Sequence, residues 1–141
     1  MTPEQIRLVK STFASVLPIA DRTGVQFYDR LFALDPGLRP LFKGDIAEQS
    51  RMLMRMLATV VNGLDRLETI VPAVQALGVR HTGYGVVDAH YQTVGDALLW
   101  TLRQGLGDSF TPEVAGAWSA AYGVLASTMQ SAARQSARGA A

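Results

Sequence analysis

The sequence predicts an all-α chain of about seven helices of mixed length, folded as a single domain over residues 1–141. Three observations predict it. Apolar residues recur at steps of three and four through most of the chain, the period of a helix that buries one face. The helix-start signature Thr-Pro-Glu occurs twice, at Thr2-Pro3-Glu4 and at Thr111-Pro112-Glu113. No segment alternates with the period of a strand, and no linker or internal repeat divides the chain. Helices of such unequal length do not suit an up-and-down bundle, so their packing is expected to be irregular.

The first helix starts at Thr2, with Pro3 at its first position and Gln5 completing a capping box, and runs to about Leu17, before Pro18. The second spans roughly Ile19 to Leu34 and is stopped by Asp35-Pro36-Gly37. Pro36 opens a short third helix reaching about Phe42, and Lys43-Gly44-Asp45 forms a corner. The fourth covers about Ile46 to Asn62, with Ile46, Leu53, Met56 and Val60 on one face. The fifth begins near Asp65 or Leu67 and ends near His81, after which Gly83 and Gly85 break the chain. Asp88 caps a sixth helix to about Leu106, and Gly107-Asp108 turns into the long last helix at Thr111. Its tail from about Ser131, rich in Ser, Ala, Arg and Gly, is expected to fray.

Composition excludes several functions. Apolar residues make up 48% and the formal net charge is +1, which excludes disorder and offers no basic surplus for nucleic acid. The absence of Cys removes disulfides, zinc-thiolate sites, iron-sulfur clusters, Cys nucleophiles and covalent C-x-x-C-H haem attachment. The uncharged run Val114 to Ala133 is long enough to span a bilayer, but Ser119, Ser127, Thr128, Gln130 and Ser131 mark it as a buried amphipathic helix. No membrane association is expected, and with no export signal at Thr2-Pro3-Glu4-Gln5 the expected address is cytoplasmic. Gly83-Tyr84-Gly85 and Gly105-Leu106-Gly107 lack the third glycine and the strand of a dinucleotide fingerprint.

Three residues stand out on inward faces. His81 ends the stripe Ile70, Val74, Leu77, His81, with steps of four, three and four. It is either a histidine hydrogen-bonded at a helix end or an imidazole offered to an iron, its second ring N–H fixed by a carbonyl one turn back near Leu77. Gln49 lies in the stripe Ile46, Gln49, Leu53, Met56, Val60, either reaching water at the mouth of the core or donating to a ligand. Tyr28 shares a face with Gly24, Leu31 and Phe32, as a core aromatic or as a ligand donor. The only other histidine, His90, is not placed to form a paired metal site with His81 and reads as structural or solvent-edge. Met52, Met54 and Met56 read as core filling and surface rather than as an axial ligand, and Trp118 and Tyr122 as packing residues.

Taken in order, Phe27-Tyr28 with Leu31-Phe32, Pro40-Leu41-Phe42, Gln49 with Leu53, His81, His90-Tyr91, and Ala117-Trp118 with Ala121-Tyr122-Gly123 resemble the bacterial single-domain haemoglobins. They are also similar to the globin domain of flavohaemoglobins. Gln49-Ser50-Arg51 and Gly85-Val86-Val87-Asp88 with His90-Tyr91 are similar to the Hell's Gate globin type. The resemblance runs from about Glu4 to Met129 and implies a globin fold in a 3-over-3 arrangement around haem b.

It also implies His81 as the iron ligand, with Phe42, Leu53, Tyr28, Gln49, Leu77, Val86 and Tyr91 around the cofactor. Tyr28 and Gln49 would be the distal pair that stabilises O2, and Gly24 would let the next long helix cross closely near Ser50. Lys43 and Arg80 are candidates for the haem propionates. The implied function is reversible binding of O2, with CO and NO as further ligands, for delivery or scavenging. The alternatives are nitric oxide dioxygenation with a separate reductase, and haem-based gas sensing or an interaction module. One departure is clear: flavohaemoglobins place a glutamate near the position of Ala133, and no acid follows Glu113 here, although Tyr91 matches their tyrosine.

Overall fold

Six α-helices carry the fold in the computed structural model, which describes residues 1–42 and 44–140. They are α1 (Pro3–Val16), α2 (Ala20–Leu34), α3 (Ile46–Asn62), α4 (Leu67–Gly83), α5 (Asp88–Leu106) and α6 (Pro112–Ala140). Short 3-10 turns lie at Leu17–Ile19, Pro36–Leu41 and Gly107–Ser109, and no strand occurs among the described residues. The expected short helix after Asp35 is therefore a 3-10 turn. Pro40 has no N–H to give to the carbonyl of Pro36, so the segment closes with three-residue bonds, Leu38 N–H to Asp35 O at 3.1 Å and Phe42 N–H to Arg39 O at 3.1 Å.

The caps explain where helices begin. Thr2 and Gln5 exchange both capping-box bonds, at 3.1 and 3.0 Å. The Asp45 carboxylate accepts from Ala47 N–H at 3.0 Å to start α3, and Thr111 Oγ1 accepts from Val114 N–H at 3.2 Å to start α6. At α5 the expected cap is displaced by one residue. Val87 holds the cap position, Asp88 is the first helical residue, and His90 Nδ1 accepts the Val87 N–H at 3.1 Å. His90 is thus a structural capping residue.

The helices cross in two layers, with α1, α3 and α4 over α2, α5 and α6, the three-over-three arrangement. The closest packing is α4 on α6, followed by α2 on α3 and α5 and by α1 on α6. Two of these crossings need a residue without a side chain. A Cβ on Gly24 of α2 would stand 2.7 Å from Ser50 Cβ on α3, at the crossing the resemblance implies. A Cβ on Gly78 of α4 would stand 2.6 Å from Met129 Cα on α6.

The core between the layers holds Phe13, Leu31, Leu57, Val61, Leu98, Leu102 and Trp118. Trp118 ties α6 to α1, its indole N–H donating to Thr12 Oγ1 at 2.9 Å inside the core.

Helix α6 shows why a long uncharged run is not a membrane segment. Val114, Ala117, Trp118, Ala121, Met129 and Ala132 are buried while Gly116, Ser119, Gly123 and Ser127 are exposed. No helix among the described residues is long and apolar enough to cross a membrane. The helix also continues past Ser131. Ala132 is buried and Arg134 reaches the Asp88 carboxylate at 3.7 Å, so this turn has a surface to pack on.

Candidate functional site

Helices α3 and α4 follow each other in the chain, yet they are not packed together as their neighbours are. They meet at the vertex, where the Ile70 side chain lies against Gly63. Away from the vertex burial falls along both inner stripes. On α3, Val60 is buried, while Met56, Leu53 and Gln49 are only half-buried. On α4, Ile70 and Val74 are buried, while Leu77 and His81 are half-buried. Burial thus falls away from the vertex toward Gln49 on α3 and His81 on α4.

The stripe Ile46, Gln49, Leu53, Met56, Val60 is fully buried only at Val60. The buried face of α3 is Ser50, Met54, Leu57, Val60 and Val61, and Ile46, Leu53 and Met56 pack half-buried beside it.

His81 is fixed on every side but one. Its Nδ1 donates to the Leu77 carbonyl at 2.8 Å, the bond the four-residue spacing predicts. A carbonyl only accepts, so Nδ1 carries the proton and Nε2 keeps its lone pair. The His81 carbonyl accepts from Tyr84 N–H at 3.0 Å and from Val86 N–H at 3.1 Å, which ties the α4–α5 connection to the histidine. Burial pushes the imidazole pKa below its ordinary value. The Leu77 bond partly offsets this, and the Arg80 charge adds to the lowering. The ring is therefore neutral at neutral pH, the form that ligates a metal.

Tyr28 is 5% exposed and its ring is held by other rings. Phe27 lies edge-on at 5.0 Å, Phe42 edge-on at 5.3 Å and Phe32 tilted at 6.0 Å. No described residue hydrogen-bonds its hydroxyl, and burial pushes the phenol up to about 12. It remains a protonated donor across the neutral range. The Gln49 side-chain amide, half-buried on α3, likewise has no hydrogen bond to a described residue.

The remaining candidates are half-buried and apolar. Phe42, Leu53, Leu77 and Tyr91 pack against the core without being sealed in it, and Val86 is half-buried beside its bond to His81. Arg80 is exposed and pairs with no described carboxylate, and Lys43 lies outside the described residues. Of the three methionines on α3, Met54 joins the core, Met52 is 52% exposed and Met56 is half-buried.

Tyr122 proves to be more than packing, since its hydroxyl donates to the Tyr91 carbonyl at 2.6 Å and so fixes the start of α5. The sequence reading missed Tyr84, whose ring centroid is 5.8 Å from that of His81. It also missed the role of Gly85, whose φ of 93° turns the chain beside Leu41. The only sequence signal for that turn was the glycine itself.

A neutral, half-buried imidazole with one free nitrogen, at the end of the apolar stripe Ile70, Val74 and Leu77, fits a flat apolar macrocycle carrying a metal. It does not fit a site in which protein side chains alone hold the ion. Among the described residues no three His, Asp or Glu side chains come together.

Comparisons with known proteins agree with that geometry. A family model described as Globin matches residues 25–129. The flavohemoprotein of Vibrio cholerae is 34% identical over 129 residues, which is 89% of this chain and 33% of that protein. The flavohemoprotein of Bacillus subtilis is 32% identical over 125 residues, 86% of this chain and 31% of that protein. The chain thus spans about a third of the length of the curated relatives it matches. Among solved structures, a bacterial globin from Campylobacter jejuni superposes with a TM-score of 0.83 at 23% identity, covering 95% of this chain and 97% of that one.

Proposed function

The chain belongs to the globin family of haem b proteins that bind small gaseous ligands, and on that premise we propose that it binds O2 reversibly, with His81 Nε2 on the iron. In this reading residues 1–141 act as one globin domain, with Tyr28 and Gln49 stabilising O2. The observation that carries it is the state of His81: proton on Nδ1, lone pair on Nε2, half-buried and neutral.

Bound haem would be held by His81 and would supply an iron that binds a gas. The protein's part follows from its own side chains. Leu77 O holds the His81 ring in one orientation and one tautomer. Phe42, Leu53, Leu77, Val86 and Tyr91 keep water from the site. The Tyr28 O–H and the Gln49 amide N–H are two donors without a described protein acceptor. Each favours a ligand that draws negative charge, so O2 gains more than CO.

A hydrogen bond to a charged acceptor contributes about 1.5–3 kcal/mol. Tyr28→Phe is therefore expected to speed O2 release by roughly 10- to 100-fold, with a smaller effect on CO. Stopped-flow displacement of O2 by CO measures both. An unchanged O2 rate would remove Tyr28 from this role, and a protein that shows no Soret band after haem addition would end the proposal.

One observation favours a second reading, nitric oxide dioxygenation with a separate reductase as partner: the 34% identity to a flavohemoprotein. Against it, the position where that family places a glutamate falls at about Ala133, and no acid follows Glu113, so the carboxylate that would raise the basicity of His81 is missing. Multiple-turnover consumption of NO with a cellular reductase separates the two readings, and absence of turnover removes the second.

A further inference from the structure

We infer that Arg39 is a positioning residue for Tyr28, acting through Phe32 and Phe42. The inference rests on the reading of Tyr28 as a ligand donor. Its hydroxyl bonds no described residue, so the direction of the phenol is set by what its ring touches. Two of its ring neighbours also touch each other: Phe32 and Phe42 meet edge-on at 5.4 Å. Tyr28, Phe32 and Phe42 therefore form a closed triangle of rings, with sides of 5.3, 5.4 and 6.0 Å.

The corners of that triangle come from two different segments. Tyr28 and Phe32 sit one turn apart on α2, whereas Phe42 arrives from beyond the 3-10 turn Pro36–Leu41. Aromatic contacts alone leave the register of the two segments soft, because an edge-on ring slides at little cost. Arg39 supplies what is missing. Its carbonyl accepts the Phe42 N–H at 3.1 Å, and its guanidinium lies over the Phe32 ring at 5.2 Å. One residue thus touches two of the three rings that hold Tyr28. Arg39 is exposed and forms no ion pair or side-chain hydrogen bond with a described residue, so Phe32 is its described side-chain partner. Removing the cation leaves the backbone bond to Phe42 in place but frees the turn to shift over Phe32. The phenol then samples more than one direction.

The test uses the holoprotein and its CO complex, because the infrared CO stretch responds to a donor near the ligand and not to global stability. Tyr28→Phe should move the band. Arg39→Ala should broaden or split it and speed O2 release roughly two- to fivefold, the range an exposed cation–π contact supports. Arg39→Lys, which keeps a cation, should restore most of both properties. In the Tyr28→Phe background, Arg39→Ala should add nothing. If Arg39→Ala leaves the band and the rate unchanged while Tyr28→Phe moves them, the positioning role is wrong and the O2-binding proposal stands. If Arg39→Ala has its full effect without Tyr28, the role is also wrong, since the route does not pass through the phenol. If Tyr28→Phe itself changes neither, the reading of Tyr28 and the inference built on it both fall.

Discussion

His81→Ala is expected to leave a folded protein that binds haem at least about 100-fold more weakly. Its ferrous and ferric spectra should no longer show an axial imidazole. The size follows from metal-site energetics. Loss of a group that merely orients a ligand lowers metal affinity by about 10–100-fold, so loss of the ligand itself belongs at the upper end or beyond it. The described structure holds no ready substitute. His90 Nδ1 is engaged at the start of α5, and the sequence has no Cys. Added imidazole should restore the spectrum, because the Ala side chain leaves room where the ring stood. His90→Ala should keep the wild-type spectrum and lose only a fraction of stability at the α5 cap. Titration of the apoprotein with haem, followed in the Soret region, checks both variants. A His81→Ala protein with the wild-type spectrum would show that another residue holds the iron.

Much of this site is legible from spacing alone. Four residues from Leu77 to His81 is one helical turn, and that distance delivers the Nδ1 bond at 2.8 Å. The crossing at Gly24 and Ser50 came from the family resemblance, and it is where α2 and α3 touch most closely. What could not be read is which apolar face of α3 is core. Met56 and Leu53 on one stripe, and Met54 and Leu57 on the other, are equally apolar. A cofactor cleft excludes water as a core does, so periodicity records burial without saying what does the burying. The aromatic triangle was hidden for a different reason. Phe32 and Phe42 were visible, but the cation over Phe32 comes from a turn whose geometry is set by two prolines and a missing donor, below the level at which spacing speaks.

Gly78→Ala is expected to be the most damaging of the conservative substitutions, although alanine is the better helix former. On an exposed helix interior this change stabilises by about 1 kcal/mol. At Gly78 the new Cβ would overlap the Met129 carbonyl and stand 2.6 Å from its Cα. Both are backbone atoms, so no rotamer change relieves the overlap and α4 must move off α6. Overpacking of this kind costs about 1–3 kcal/mol, and more when backbone has to shift. For a chain of this length that is a fall of roughly 3–10 °C in Tm.

The consequence reaches the site, because His81 lies one turn beyond Gly78 on the same helix. Displacing α4 displaces the imidazole, so haem affinity should fall together with Tm. Gly123→Ala supplies the contrast. That residue sits on the exposed side of α6, and a Cβ there meets nothing within 4 Å. It should raise Tm by a few degrees, as removal of a mid-helix glycine does, and leave haem affinity unchanged. Thermal unfolding of both apoproteins with parallel haem titrations decides the matter. If Gly78→Ala matched Gly123→Ala in both measurements, α4 would not be anchored at this crossing, and the placement of His81 would need a different cause.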